Sequence, residues 1–170
     1  MSRLLARGRE AARLRRMYPV GHADTTALRY ARFWVRVIRT GLLPRRWVVL
    51  EVAGRRSGRP IRIPLGMARV GGRWFLVSML GECNWVRNVR AATGRATLLR
   101  RRAATVRLTE VPVEEREPIL REYLRHVPGG RPHFPVDDRS TVEELAAVAG
   151  AHPVFAVARV GAARGGAAEA

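Results

Sequence analysis

Short β-rich runs separated by turn signals fill the middle of the chain and restrict the folds open to it. Trp47–Ala53 is closed by the turn Gly54–Pro60, and the runs Ile61–Val70 and Arg73–Met79 flank Gly71-Gly72. Two glycines between two such runs are a strong hairpin signal, because glycine readily adopts the positive φ angles of tight two-residue turns. The pattern predicts antiparallel strands joined by short turns.

Three further runs extend this pattern. Arg95–Arg101 and Thr105–Val111 predict a second hairpin, and Pro153–Val160 predicts a last strand. Six strands in a mostly antiparallel order form most economically a small barrel closed by the final strand, because closure leaves no unpaired sheet edge. We therefore predict a mainly β fold with additional helices, in the α+β class.

Helical patterns precede the barrel and interrupt it. Ser2–Met17 predicts a basic helix, and Ala27–Arg39 predicts a second helix with a clearer periodicity. Asn84–Ala92 predicts a short helix between strands. Val113–Val127 predicts a longer helix that Pro118 kinks or delays, because proline lacks the N–H of a helix interior.

The end of the chain carries one more helix signal. Ser140 and Glu143 have the spacing of a capping box, which predicts a short helix that ends at Gly150. The tail after Gly161 is rich in Gly and Ala, and we expect it to be disordered. The predicted division is therefore basic N-terminal helices in 1–44, the barrel domain in 45–160 and a tail in 161–170.

The charge of the chain points to anionic partners. Its 170 residues carry a formal net charge of +18, and every one of the 32 Lys and Arg residues is Arg. Such a chain attracts phosphates, polycarboxylates or anionic lipid. The absence of Lys indicates a compositional bias, so the positions of the arginines carry more information than their number. One cysteine, Cys83, and the lack of a signal peptide lead us to expect a cytosolic protein.

The Ala27–Arg39 segment has an arginine stripe with two interpretations. Arg29, Arg32, Arg36 and Arg39 recur at three- and four-residue spacing, which places them on one helical face. This face is either solvated or rests on an anionic membrane surface. Nucleic acid is an unlikely partner, because the sequence has no helix-turn-helix, zinc finger or RNA-recognition motif.

The turn Gly54–Arg62 is the first candidate binding segment. Its two glycines permit a close backbone approach, while Ser57 and four arginines supply hydrogen-bond donors to an anion. The segment predicts an anion cradle between two strands. The alternative is an ordinary solvated basic turn.

The second candidate segment runs from Ser78 to Arg90. A strand end, a glycine turn and a helix start leave backbone N–H groups free to meet a ligand. Trp85 and Asn88 are three residues apart and share a helix face. Alternatively, Trp85 is a core aromatic residue and Asn88 bonds nearby backbone. The histidines lack metal-ligand spacing, and we predict no metal site and no catalytic acid or base.

In order and spacing, these segments resemble the deazaflavin-dependent nitroreductase and quinone-reductase family, whose members bind coenzyme F-420 in a split β-barrel. The matches are the Gly54–Gly58 turn, Pro64-Leu65, Gly81, and Trp85 with Asn88. The resemblance covers roughly Trp47 to Val160. It implies a split β-barrel of about six antiparallel strands with N-terminal and peripheral helices.

The resemblance also implies a function. It implies hydride transfer from the reduced deazaflavin to an electron-poor small-molecule acceptor such as a quinone, a nitro compound or an enone. The alternative is a binder of FMN or another anionic ligand on the same fold, without reductase turnover. The sequence does not indicate an oligomeric state.

The resemblance assigns residues to two sites. Arginine forks and a hydroxyl would hold the phosphate and the oligoglutamate tail, and the strand end and helix would line the ring. The implied cofactor-binding residues are Arg55, Arg56, Ser57, Arg62, Ile63, Pro64, Val77, Ser78, Met79, Asn84, Trp85, Val86, Arg87 and Asn88. The implied acceptor-binding residues are Ser78, Val127, His133 and Phe134.

Overall fold

The computed structural model describes residues 25–160 and shows six strands that close into an antiparallel barrel in the order β1-β2-β3-β6-β5-β4. The strands are β1 Trp47–Ala53, β2 Pro60–Val70, β3 Arg73–Val77, β4 Arg95–Leu99, β5 Ala103–Glu110 and β6 Val154–Arg159. The α-helices of the described residues are α1 Thr25–Arg39, α2 Asn84–Ala91, α3 Glu117–His126 and α4 Val142–Ala149. The predicted helix Ser2–Met17 and the tail after Gly161 lie outside the described residues.

Strand pairing confirms the predicted antiparallel order. Strand β1 pairs with β2 and with β4, and β6 pairs with β3 and β5, so every strand has two neighbours. Gly71 and Gly72 have φ angles of 54° and 79°, as the predicted hairpin turn requires. The barrel therefore has no free edge.

The barrel interior is filled by alternate residues of its strands and by α2. Val48, Leu50 and Val52 point inward from β1 into a buried cluster that includes Phe155 of β6. Trp85, Val86 and Val89 of α2 belong to the same cluster. Helix α2 is thus packed against the barrel core, which fixes the position of its polar residues relative to β1 and β2.

Two further clusters attach the other helices to the outside of the barrel. The first joins α3 and α4 to β2, β3 and β6 through residues such as Phe75, Leu120, Leu124 and Leu145. The second is small and joins Ile38 of α1 to Val49 of β1 and Leu99 of β4. Helix α1 therefore lies beside β1 and β2 on a narrow apolar contact.

Several boundaries differ from the sequence predictions. Strand β3 ends at Val77, so Ser78 and Met79 lie in the following turn. The predicted helix Val113–Val127 is divided into a 3₁₀ turn, Val113–Glu115, and α3, because Pro118 occupies the first turn of α3, where no N–H is needed.

The predicted capping box of Ser140 and Glu143 is wrong by one residue. The Thr141 hydroxyl accepts from the Glu144 N–H at 3.2 Å, and the Glu144 carboxylate accepts from the Thr141 N–H at 2.9 Å. Both registers have the same Ser/Thr-x-x-Glu spacing, so the sequence pattern alone does not separate them.

Candidate functional site

The turn between β1 and β2 is closed by its own backbone. The Gly54 N–H donates to the Arg59 carbonyl at 2.9 Å, and the Gly58 N–H donates to the Gly54 carbonyl at 2.8 Å. Gly58 has a φ of 66°, and a Cβ on Gly54 would lie 2.9 Å from the Ser57 hydroxyl oxygen. Both glycines are therefore needed for this fixed shape, and the arginine side chains of the turn are exposed.

Arg55 joins this turn to α2. Its backbone N–H donates to Asn88 Oδ1 at 3.2 Å, and its Nη1 donates to the same oxygen at 3.0 Å. Both Nη1 and Nη2 lie 3.3 Å from Asn84 Oδ1. The Asn88 side chain is buried, and its Oδ1 accepts both the N–H and the Nη1 hydrogen bond from the turn. Arg55 therefore holds the two candidate segments together.

The remaining arginines of the turn differ in how far they are engaged. Arg62 Nε donates to Glu51 Oε2 at 2.6 Å across the β1–β2 pair. Arg56 and Arg59 are exposed, and within residues 25–160 neither guanidinium forms an ion pair. Arg56 and Arg59 are thus the donors of the turn most available to an anion.

A groove lies between α1 and the start of β2. It has a volume of about 690 Å³. It is lined by Ala31, Arg32, Val35, Arg36 and Arg39 of α1 and by Pro60, Ile61 and Arg62 of β2. Arginines of the helical stripe therefore lie beside the start of β2, directly after the Gly54–Arg62 turn begins to pair with β1.

The turn after β3 is held by Ser78. Its hydroxyl donates to the Gly81 carbonyl at 2.6 Å and lies 3.4 Å from Cys83 Sγ. Ser78 is buried, with 1% of its surface exposed. In this conformation the hydroxyl stabilises the turn that leads into α2.

Helix α2 presents few of its predicted ring-lining residues to solvent. Trp85 is 7% exposed, and its ring centroid lies 5.6 Å from that of Phe155 in the barrel core. Val86 is also buried, whereas Asn84 and Arg87 are exposed. The contacts of Trp85 and Asn88 are those of the alternative interpretation, in which one residue packs in the core and the other bonds backbone.

The predicted cofactor-binding residues thus fall into three groups by exposure. The exposed ones are Arg55, Arg56, Ser57, Arg62, Asn84 and Arg87. The partly buried ones are Ile63, Pro64 and Met79. The buried ones are Val77, Ser78, Trp85, Val86 and Asn88. The turn and α2 meet through Arg55, and their role toward a cofactor stays a prediction.

Apart from Ser78, the predicted acceptor-binding residues lie in or near the apolar cluster of α3 and α4. Val127 and Phe134 are both buried in the cluster of α3 and α4, and His133 is partly exposed in the 3₁₀ turn Arg131–His133. Val127 packs on Gly66, where an added Cβ would lie 2.7 Å from Val127 Cγ1. The structure therefore brings Val127 and Phe134 into one apolar cluster.

His152 connects Phe134 to Ser78. The two rings stack with centroids 4.0 Å apart, and His152 Nδ1 lies 3.0 Å from the Ser78 carbonyl oxygen. A carbonyl only accepts, so Nδ1 carries the hydrogen. Burial lowers the pKa of His152 below its ordinary value, and the hydrogen bond to Ser78 opposes that shift. The imidazole is therefore mostly neutral at pH 7, and its ring packs face to face against the ring of Phe134.

Sequence reasoning missed two features of this region. One is the groove, because the sequence showed the stripe on α1 but not the strand beside it. The other is the Arg55–Asn88 contact, whose members are 33 residues apart. A search for buried polar residues needing partners would have singled out Asn88, since a helix Asn that faces a core is seldom left unpaired.

The described residues contain neither a candidate metal-binding cluster nor a candidate membrane-spanning helix. No group of three or more His, Cys, Asp or Glu side chains within residues 25–160 is placed to hold a metal ion. None of the helices in this part of the chain is long and apolar enough to cross a bilayer.

Several solved structures are similar to this chain. The chain of Atu2129 from Agrobacterium tumefaciens aligns with a TM-score of 0.52 and 16% identity over 75% of this chain and 54% of that chain. A structure described as an F-420-H2 dependent reductase, FDR-A, aligns with a TM-score of 0.47 and 22% identity over 68% of this chain and 96% of that one. A structure described as a domain-swapped dimer aligns with a TM-score of 0.49 and 20% identity over 78% and 96%.

No curated protein matches the chain. A family model does match it, and that model is described as F-420H(2)-dependent quinone reductase and aligns with residues 23–143. The aligned stretch contains α1, strands β1 to β5, the arginine turn and α2. It is well over half of the chain and includes both candidate segments. The chain therefore belongs to the F-420H(2)-dependent quinone reductase family, and it is an F-420-dependent oxidoreductase.

Proposed function

We propose that this chain binds reduced coenzyme F-420 between the Gly54–Arg62 turn and α2 and uses it to reduce an electron-poor small molecule such as a quinone. One observation carries the proposal. Arg55 ties the turn to α2 through Asn84 and Asn88, while Arg56 and Arg59 stay exposed and free of ion pairs within residues 25–160. The backbone turn that carries Arg56 and Arg59 is thus held beside the helix that the family resemblance assigns to the ring.

The donors present fit the anionic part of the coenzyme. Its phosphate and glutamate carboxylates accept hydrogen bonds, and arginine forks match both groups in geometry. The exposed residues at this site are therefore compatible with the anionic end of the coenzyme.

The chain's own contribution is positioning. When bound, reduced F-420 supplies the hydride, so the protein needs no redox-active side chain. Arg56 and Arg59 would hold the anionic end, and the Arg55–Asn88 contact would keep the turn at a fixed distance from α2. A rigid pair of elements lowers the entropy lost when two reactants are brought together.

Steady-state turnover tests the function. Reduced F-420 and a soluble quinone are mixed with the protein, and the return of oxidised coenzyme is followed by absorbance. We expect Arg56→Ala/Arg59→Ala to lower kcat/KM for F-420 by about tenfold or more, because each lost charged hydrogen bond contributes roughly 1.5–3 kcal/mol. Arg102→Ala, at an exposed arginine in the β4–β5 turn, is the matched control and should leave turnover unchanged. Absence of quinone reduction by folded wild-type protein would end the proposal.

We propose in addition that the outer face of α1 rests on an anionic membrane surface, at the cytoplasmic side. Tyr30 and Phe33 are 49% and 57% exposed, and both pack edge-on against Trp34. Arg29 is exposed on the same helix, and Leu42 just beyond it is 89% exposed. Aromatic and arginine side chains together on an outward helix face are typical of interfacial helices.

Co-sedimentation with vesicles tests this second proposal. The protein should sediment at low salt with phosphatidylglycerol vesicles and not with phosphatidylcholine vesicles, because the attraction is partly electrostatic. Tyr30→Ser/Phe33→Ser should reduce sedimentation, whereas Val142→Ser, which removes an exposed apolar residue from α4, should not. Equal sedimentation of the α1 double variant and the wild type would refute the role of this face.

A further inference from the structure

A carboxylate at the end of β5 joins two arginines from different parts of the chain. Arg90 of α2 approaches Glu110 as a fork, because its Nε donates to Oε2 and its Nη2 donates to Oε1, both at 2.7 Å. Arg116, just before α3, donates through Nη2 to Oε1 of the same carboxylate at 3.1 Å. These three side chains form the Arg90–Glu110–Arg116 bridge.

One end of the bridge fixes α2. Arg90 lies in the last turn of this helix, and its Nη1 also donates to Glu82 Oε2 at 2.8 Å in the turn before the helix. At about 100° per residue, Arg90 and Asn88 point roughly 200° apart around the helix axis. Asn88 bonds Arg55 of the Gly54–Arg62 turn. Helix α2 is therefore held on opposite sides, by that turn and by β5.

The other end of the bridge reaches the cluster of α3 and α4. Arg116 is 5% exposed, and its Nη1 donates to the carbonyl oxygens of Ala149 at 3.1 Å and His152 at 3.3 Å. The ring of His152 stacks on that of Phe134, with centroids 4.0 Å apart. Phe134 is one of the predicted acceptor-binding residues. The bridge thus leads from the helix on the coenzyme side to the cluster on the acceptor side.

We infer that Glu110 is a positioning residue, and that the bridge sets the separation between α2 and the α3–α4 cluster and thereby the alignment of coenzyme and acceptor. The inference rests on the proposed function and goes beyond it, because Glu110 lies outside the residues proposed to bind either molecule. Its contribution is expected in the rate of hydride transfer and not in the affinity for the coenzyme.

The energetics of the two ion pairs favour a geometric role. A buried guanidinium such as that of Arg116 needs a counter-charge, and one oxygen of Glu110 supplies it. The Arg90 side chain is 42% exposed, and ion pairs at such exposed positions add little to stability. A two-bond fork does fix the orientation of both partners. The fork of Arg90 on Glu110 therefore restrains the position of α2 more than it stabilises the fold.

An ionised carboxylate suits this position. It has two oxygens and can accept hydrogen bonds from two guanidinium groups at once. The hydrogen bond from Arg90 lowers the pKa of Glu110 below its ordinary value, so the carboxylate is ionised at neutral pH. Glutamine has the same size but only one acceptor oxygen, and its NH₂ group cannot accept from an arginine. Glu110→Gln should therefore open the bridge without leaving a cavity.

The test measures hydride transfer in a single turnover. Protein loaded with reduced F-420 is mixed with a saturating soluble quinone, and the appearance of oxidised coenzyme is followed by absorbance. Reacting atoms must lie about 3–3.5 Å apart, and a shift of about 1 Å can cost roughly 100-fold, so Glu110→Gln should lower the rate at least about fivefold. Fluorescence titration should give the same F-420 affinity for Glu110→Gln as for wild type.

Two control variants separate positioning from charge and from stability. Glu114→Gln makes the same chemical change at an exposed carboxylate in the 3₁₀ turn Val113–Glu115. Ile38→Val removes a buried methyl group from the small cluster of α1, β1 and β4, and it lowers stability without contacting the bridge. Both controls should transfer hydride at the wild-type rate. A rate loss in either control that equals the loss in Glu110→Gln overturns the inference.

A double-mutant cycle tests whether Glu110 acts through α2. Arg90→Gln opens the same bridge from a half-exposed position, so it should fold and should slow hydride transfer even if Glu110→Gln does not fold. Arg90→Gln/Glu110→Gln should be no slower than the slower of the two single variants, because both remove one connection. Losses that multiply in the double variant would overturn the bridge.

The remaining outcomes distinguish this inference from the function on which it rests. Wild-type turnover with an unchanged rate in Glu110→Gln refutes the positioning role alone. A weaker F-420 affinity with an unchanged single-turnover rate also refutes it, because the residue would then act on binding. Absence of quinone reduction by folded wild-type protein would instead overturn the proposed function.

Discussion

The guanidinium group of Arg55 is held by two asparagine side chains, Asn84 and Asn88. Asn88 is buried, and its Oδ1 accepts both the backbone N–H of Arg55 at 3.2 Å and Nη1 at 3.0 Å. At the scale of single residues, Arg55 is therefore a connection between turn and helix. Arg56 and Arg59 beside it are exposed and form no ion pair within residues 25–160, and we propose them as the direct donors to an anion.

Replacement of Asn88 by Ala should destabilise the protein and loosen the turn. It leaves the backbone N–H of Arg55 without its acceptor and the guanidinium with Asn84 alone, which costs about 1–3 kcal/mol for a partly buried N–H. Urea unfolding should show this loss in the free energy of unfolding. Arg87→Ala, at an exposed position of α2, should change it by less than about 0.5 kcal/mol. Equal effects of the two substitutions would contradict the anchoring role of Asn88.

His152 should make stability depend on pH. Burial lowers the pKa of His152 in the folded protein below the ordinary value of 6.5, so the unfolded chain binds more protons in the window below 6.5. Stability should then rise as the pH increases from about 5 to about 7. Urea unfolding at several pH values in this window gives the free energy of unfolding as a function of pH. This free energy should rise more steeply with pH for wild type than for His152→Gln. Identical slopes would show that His152 does not titrate as its burial requires.

At the scale of elements, Arg116 holds the junction between β5, α3 and α4. It is 5% exposed and donates to the carbonyl oxygens of Val111 at 2.9 Å, Ala149 at 3.1 Å and His152 at 3.3 Å. It also pairs with Glu110 at 3.1 Å, and the pKa of Glu110 is lowered mainly by its hydrogen bond to Arg90 of α2. Through these bonds the start of α3 is joined to the end of β5, to the end of α4 and to His152 just before β6.

Removal of Arg116 should therefore be costly. Arg116→Ala removes the side-chain donor from the carbonyls of Val111, Ala149 and His152 and leaves Glu110 paired with Arg90 alone. We expect it to lower the free energy of unfolding by about 3–5 kcal/mol, because each unsatisfied buried acceptor costs about 1–3 kcal/mol. Arg125→Ala, at a half-exposed arginine of α3 with ion pairs of 3.9 and 3.8 Å, should change it by less than about 1 kcal/mol. Chemical denaturation of both variants checks the prediction, and a small effect of Arg116→Ala would mean that the junction is held by apolar packing alone.

Elements were predictable from the sequence where local chemistry decides them. Strand β1 has the predicted bounds, and the Gly71-Gly72 turn forms as predicted, because strand propensity and glycine turns act over a few residues. The capping box was misplaced by one residue, since Ser140 and Thr141 offer the same pattern. The Arg55–Asn88 and Arg116–His152 contacts join distant parts of the chain, and no local signal specifies such pairs.

At the scale of the whole molecule, arginines from two distant segments are concentrated on one surface beside the start of β2. The chain has a net charge of +18, and the arginines of the turn and of the α1 groove lie next to each other along the start of β2. An anion that approaches this region meets several guanidinium groups within about one Debye length, which is roughly 10 Å at 0.1 M salt. The fold thus gathers on one surface the charge that the sequence distributes over two distant segments.

The central claim is that this surface selects an anionic deazaflavin, and a fluorescence titration of purified protein with F-420 and, separately, with FMN tests it most directly. We predict micromolar or tighter binding of F-420, clearly weaker binding of FMN, and a loss of F-420 affinity of about tenfold or more in Arg56→Ala/Arg59→Ala. Tight binding of FMN alone, or an F-420 affinity unchanged by the double substitution, would contradict the account.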